Sequence, residues 1–117
     1  MEQGVKFDKD KLRFDLIPTF PMRLIAEVFT IGAKKYTDRN WEEGMEWGRV
    51  YGAINRHLNA WWSGEKYDPD DGQHHLASVA CGAMVLMQYE ETHPNLDTRS
   101  KYKIEFTKED KNYEKTT

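Results

Sequence analysis

Two histidines, an acidic connector and a cluster of cations are the residues whose types and spacing could do chemistry. His57 and His75 each border small residues at helical spacing, Ala53 and Ala60 beside the first, Ser78 and Gly82 beside the second. Small residues leave room either for close helix packing or for a ligand. A hydrogen-bonded core histidine is the plainer alternative at each position. His74 is expected at the surface. Between the two histidines runs Glu65-Lys66-Tyr67-Asp68-Pro69-Asp70-Asp71-Gly72. Carboxylates gathered this way suit Mg²⁺, a hard cation that takes oxygen ligands and keeps several waters. They equally suit a solvated turn that caps the next helix. Upstream lies Lys34-Lys35-Tyr36-Thr37-Asp38-Arg39-Asn40-Trp41. Its cations, amide and indole could serve phosphates, a base edge and a base face, with Lys11 and Arg13 adding charge. An ordinary basic helix C-terminus has the same composition.

Helical spacing supplies the elements that must position these groups. Leu24, Ile25, Val28 and Ile31 predict a first helix from about Pro21 to Tyr36. Trp47, Val50, Tyr51, Ile54, Leu58 and Trp61 form the stripe of a second, from about Glu46 to Ser63. Asn40 with Glu43 could cap an earlier start, but Gly44 favours the later one. Gly64 stops this helix. A third runs from about Gln73 to Glu91, capped by Asp71, with a stripe of Leu76, Val79, Ala80, Ala83, Leu86 and Met87. His93-Pro94 ends it. An antiparallel hairpin of the last two helices puts the acidic connector beside His75. His57 lies two turns below Glu65, roughly 12 Å along the axis. That distance makes it awkward for one shared ion and better suited to hold substrate or orient a carboxylate. Residues 1–20 read as an extended lead laid along the domain. Residues 1–94 form one helical domain and 95–117 a polar tail, with one short strand over Lys101–Phe106 and disorder over the last ten residues. The expected fold class is all-α, a small antiparallel domain of three main helices.

Composition narrows the function classes. The 117 residues suffice for one domain. Apolar residues make up only 38% and aromatics a high 13%, so the core is thin but rich in large rings. A thin core favours an oligomer. A net charge of −3 gives no basic excess for duplex nucleic acid. The single cysteine excludes an internal disulfide and a Cys-rich zinc site. The longest apolar run, Val79–Met87, is nine residues, too short for a bilayer. The N-terminus has no apolar signal region, so a cytoplasmic protein is expected.

Four strings, KFDKDKLRFDLIP, GAKKYTDRNW, RHLNAWWSGE and DPDDGQHHLASVAC, resemble the phage and bacterial dATP/dGTP diphosphohydrolase family (N-terminal domain type) over about residues 5–90. That family is placed near the MazG-like all-α nucleoside triphosphate pyrophosphohydrolases. The resemblance implies helical dimers or tetramers and a purine nucleotide ligand. It also implies Mg²⁺ (or Mn²⁺) held by E-E-x-x-E and E-x-x-D, with cleavage between the α and β phosphates. Glu42-Glu43-Gly44-Met45-Glu46 and Glu65-Lys66-Tyr67-Asp68 match these strings, with eighteen residues between Glu46 and Glu65. Gly44 and the Pro69 turn set both at helix ends or in loops. By position, His75 and Ser78 fall where E-x-x-D would lie on the third helix.

On this resemblance, Glu65, Asp68 and His75 would hold the metal, and Glu46 or Glu65 would activate the attacking water. Lys35 and Arg39 would neutralise the leaving pyrophosphate. Trp41 would stack on the base and Asn40 would read its edge, with Lys11, Arg13 and His57 completing the substrate contacts. In a phage such an enzyme would clear a nucleotide from the host cytoplasm. The alternative is a non-catalytic sponge that sequesters a nucleotide immune signal of the host. The histidines at carboxylate positions favour that alternative, and the two literal motif matches favour the enzyme.

Overall fold

The computed structural model describes residues 3–102. Three helices, α1 (Thr19–Lys35), α2 (Trp47–Trp62) and α3 (His75–Thr92), are joined by segments that carry only single turns of 3₁₀ helix. No strand forms among the described residues, so the fold is all-α as the sequence predicts. Pro21 sits in the first turn of α1, where its missing N–H breaks no helical bond. Asn40–Glu43 makes an isolated 3₁₀ turn instead of opening α2, because Gly44 at φ +104° turns the chain away.

The end of α2 is a Schellman turn. The Glu65 N–H donates to Ala60 O at 3.1 Å and the Gly64 N–H to Trp61 O at 3.0 Å, with Gly64 at φ +106°. The connector then folds back on itself. Tyr67 and His74 form an antiparallel bridge, and the Asp68 N–H donates to Gln73 O at 2.8 Å. This pairing delays α3 to His75, two residues later than the sequence suggested. Its cap is the His74 side chain, whose Nδ1 accepts from the Leu76 N–H at 3.0 Å. Asp71, the expected cap, instead accepts from the Gln73 N–H inside the connector. His74 is therefore half-buried, edge-on to Tyr67, and not the surface residue anticipated.

Trp47, Val50, Val85 and Tyr89 form the core, with Phe29, Trp41, Ile54, Leu86 and Leu96 packed around it. The Tyr89 hydroxyl donates to Trp41 O, and the Trp47 indole N–H to His93 O at 3.1 Å. Gly82 brings α3 close to α2, since a Cβ there would sit 2.5 Å from Ile54 Cγ1. The expected stripe of α3 meets this interface only in part. Leu86 packs on the core and Leu76, Val79 and Ala80 are half-buried, whereas Ala83 is exposed and Met87 is 60% exposed. His75, Val85 and Tyr89, outside that stripe, are buried. On α2, Trp47 and Val50 are buried, but Tyr51 and Leu58 are exposed.

The lead does not lie along the helices. Phe7 is 92% exposed, and Phe14–Leu16 is a 3₁₀ turn. Beyond the 3₁₀ turn Pro94–Leu96, the chain packs back on α2. The Gly48 N–H donates to Thr98 Oγ1 at 2.9 Å, and the Arg99 guanidinium lies 4.9 Å from the Trp47 ring centroid. Lys101 and Tyr102 have no regular structure. The rest of the expected strand, and the last ten residues, lie outside the described residues. No described helix is long and apolar enough to cross a membrane.

Candidate functional site

The folded-back connector brings three groups together at the α2–α3 junction. His57 Nδ1 lies 2.9 Å from His75 Nδ1 and 3.7 Å from Asp68 Oδ2. One ligand atom from each of His57, Asp68 and His75 lies within 4.8 Å of the others. His75 is buried and Asp68 nearly so, at 3% and 15% exposure of residue and side chain respectively. On the far side of the His75 ring, Nε2 meets Glu65 Oε1 at 2.6 Å. Because an ionised carboxylate only accepts, Nε2 carries the proton and donates it to Glu65. The Nδ1 of a neutral His75 is then a bare lone pair aimed at His57. The Schellman turn explains Glu65, since it reverses the chain right after α2. The Asp68–Gln73 pairing explains Asp68, since it draws the connector back over the helix ends.

This arrangement revises the estimate that His57 stands a full two turns from the acidic groups. That arithmetic held the connector straight along the axis, whereas it doubles back. His57, expected to touch substrate, stands among the metal-capable donors. Glu65, expected to touch metal, stands behind His75. The donor set is two imidazole nitrogens and one carboxylate oxygen. Mg²⁺ prefers an all-oxygen shell, so these residues do not fit it as a resident ion.

Beside the cluster opens a groove of about 1490 Å³ between the C-terminal end of α1, the following turn and α2, floored by α3. Lys35, Arg39, Asn40, Trp41 and His57 all border it. The fold thus gathers five of the residues singled out for a nucleotide. Arg49 and Arg56, not singled out, add two cations from α2. Their signal was a spacing of seven, which puts them on one helix face two turns apart. Asp38, Glu42 and Asp71 border the groove too, with Glu42 3.9 Å from Arg39. Trp41 is shared with the core, its ring 6.1 Å from Phe29 and 6.2 Å from Tyr89 between centroids.

Three expected residues are not brought to the site. Glu46 precedes α2 and lies about 16 Å from His57 along the axis. Lys11 is exposed in the lead, and Arg13 is paired with Asp15 at 2.7 Å. That ion pair holds the Asp15 carboxyl below its usual range. Cys81 borders the groove, and burial pushes its thiol up to about 11, so it is no nucleophile at neutral pH.

The fold and groove define a small three-helix domain with a largely apolar cleft, edged by cations and carboxylates, at one helix junction. The family model for the N-terminal region of dATP/dGTP diphosphohydrolase matches residues 1–99, and the chain belongs to this family. A relative named dATP/dGTP diphosphohydrolase, from Salmonella phage PMBT28, is 32% identical over 96 residues, which is 82% of this chain and 33% of that protein. The chain thus spans about a third of the length of that curated relative. No solved structure matches.

Proposed function

We propose that the chain binds a purine (deoxy)nucleoside triphosphate in the α1–α2 groove and hydrolyses it to the monophosphate and pyrophosphate. The supporting observation is the convergence of Lys35, Arg39, Asn40, Trp41 and His57 on one groove, in a member of a family named for this activity. Arg49 and Arg56 extend the phosphate-binding wall. Mg²⁺ (or Mn²⁺) enters on the triphosphate, held by phosphate oxygens, and supplies charge neutralisation there. Lys35 and Arg39 hold the pyrophosphate end and offset the charge that develops as it leaves. Asn40 and the groove edge of Trp41 meet the base. A water attacks the α phosphorus, and the bond from that phosphorus to the α–β bridging oxygen breaks.

Of the two carboxylates expected to take the water's proton, neither borders the groove, and Glu65 stands beside the cluster behind His75. It is about half exposed and keeps capacity for a second hydrogen bond beyond the one to His75. Glu46 has no role in this reading. The chain acts without duplex DNA or a membrane, in the cytoplasm of a phage-infected host. Exposed Met84 and Met87 of α3 and the exposed rings of the lead support a homodimer or homotetramer.

Incubation with dATP or dGTP and Mg²⁺ or Mn²⁺, followed by chromatography, tests the reading. Monophosphate and pyrophosphate in equal amounts are expected. Intact nucleotide recovered from the denatured protein, with no product, would instead show the sponge that sequesters a nucleotide signal.

A further inference from the structure

The geometry points to a resident transition-metal site made by His57 Nδ1, His75 Nδ1 and the Asp68 carboxylate, with Glu65 as the positioning residue that orients His75. The ion is of the nitrogen-preferring divalent class, represented by Zn²⁺, and is distinct from any Mg²⁺ that arrives on a nucleotide. The inference stands apart from the proposed hydrolysis and concerns binding of the metal alone.

Distances carry the first part of the argument. Adjacent ligands held at about 2.0–2.1 Å from one ion lie about 2.9–3.4 Å apart in octahedral or tetrahedral geometry. The two Nδ1 atoms stand 2.9 Å apart, and Asp68 Oδ2 stands 3.7 Å from His57 Nδ1. All three ligand atoms lie within 4.8 Å of one another, so a side-chain rotation that draws the Asp68 carboxylate inward completes the set. All three groups are half-buried or buried, so their lone pairs are already partly drawn out of water.

Protonation carries the second part. The Glu65 contact fixes the proton of His75 on Nε2 and leaves Nδ1 bare. A carboxylate behind a histidine is the arrangement that fixes the tautomer and raises the basicity of a metal-ligating ring. Without a cation, the short Nδ1–Nδ1 contact holds one proton between the two rings. With a cation, that proton moves to His57 Nε2, and all three donors face the ion. The tautomer shift leaves the proton count of the ring unchanged. His57 is a quarter exposed and borders the groove, so its Nε2 has access to water for this exchange.

Ligand type carries the third part. Imidazole nitrogens favour Zn²⁺, Co²⁺ and Ni²⁺ over Mg²⁺ and Ca²⁺. Three protein ligands leave positions open for water or for an oxygen of a groove-bound molecule.

The test needs no nucleotide. Zn²⁺ is titrated into full-length protein and followed by calorimetry and by nitrogen-15 NMR of the four histidines. One ion per chain is expected, with the Nδ1 resonances of two of the four imidazoles shifting together. Co²⁺ should bind with visible absorption, and millimolar Mg²⁺ should not displace either ion. His57→Gln and Asp68→Asn should each weaken Zn²⁺ at least tenfold. Glu65→Gln should weaken it by roughly 10–100-fold while leaving the stoichiometry unchanged. Failure of the wild-type protein to bind Zn²⁺ overturns the proposal. Binding that leaves the two imidazoles unshifted does so as well, whatever the folding of the variants. A protein that hydrolyses dGTP with Mg²⁺ yet binds no Zn²⁺ would sink this site and leave the proposed function standing.

Discussion

His57, Asp68 and His75 are individually unremarkable residue types, and only their meeting makes a site. Their identities were legible in the sequence, because each sat beside small residues or in a turn. Asp68 and His75 were expected together, but the place of His57 with them was not, because it depends on a connector that doubles back through backbone bonds rather than running straight. The nearness of Glu65 to His75 was expected from the hairpin, and the 2.6 Å contact adds its geometry. Trp41 is shared. The sequence offered it as a platform for a base, and the fold sets its ring beside Phe29 and Tyr89 as well as at the groove. A residue prediction concerns Cys81. Burial raises its thiol to about 11, so little thiolate forms at pH 8. Iodoacetamide should label the native protein slowly and the denatured protein fast. Equal rates would contradict the burial that raises the Cys81 thiol.

At the scale of elements, the three helices were readable from spacing and from their punctuation at Pro21, Gly44, Gly64 and Pro94. Errors fell where two local signals competed. Asp71 and His74 both suit a cap, and the paired connector decides for His74. The stripe of α3 read from spacing, Leu76, Val79, Ala80, Ala83, Leu86 and Met87, was partly right, since Leu86 packs on the core while Val85 and Tyr89 outside it are buried too. Gly82 lets α2 approach α3 closely. Gly82→Ala should therefore destabilise the protein by about 1–3 kcal/mol, read from the shift of a denaturant midpoint. A loss under a few tenths would mean that the interface has slack. Gly64→Ala should cost about 1 kcal/mol, since its φ of +106° suits only glycine and the Schellman turn depends on it. That variant should also disturb the placement of Glu65, so it should weaken Zn²⁺ binding. An unaltered affinity would separate the turn from the metal site.

The whole molecule leaves much apolar surface in water for its size. Met84 and Met87 of α3 and the lead residues Phe7, Leu12 and Phe14 are exposed in the single chain. A second copy would remove that surface from solvent, in keeping with a thin core that benefits from association. Sedimentation equilibrium should show a dimer or tetramer, and Met87→Glu on α3 should shift it towards monomer. A monomeric wild-type protein at micromolar concentration would contradict this. The groove does not depend on that outcome, because it is formed within one chain by α1, α2 and α3. Its occupancy by a triphosphate is the claim on which the functional account rests. Calorimetric titration with a dGTP analogue whose α–β bridge resists cleavage measures it directly. The wild-type protein should bind, and Arg39→Gln combined with Arg56→Gln should lower the affinity at least tenfold at unchanged thermal stability. Absence of binding, or an affinity untouched by losing both guanidinium groups, would contradict the account.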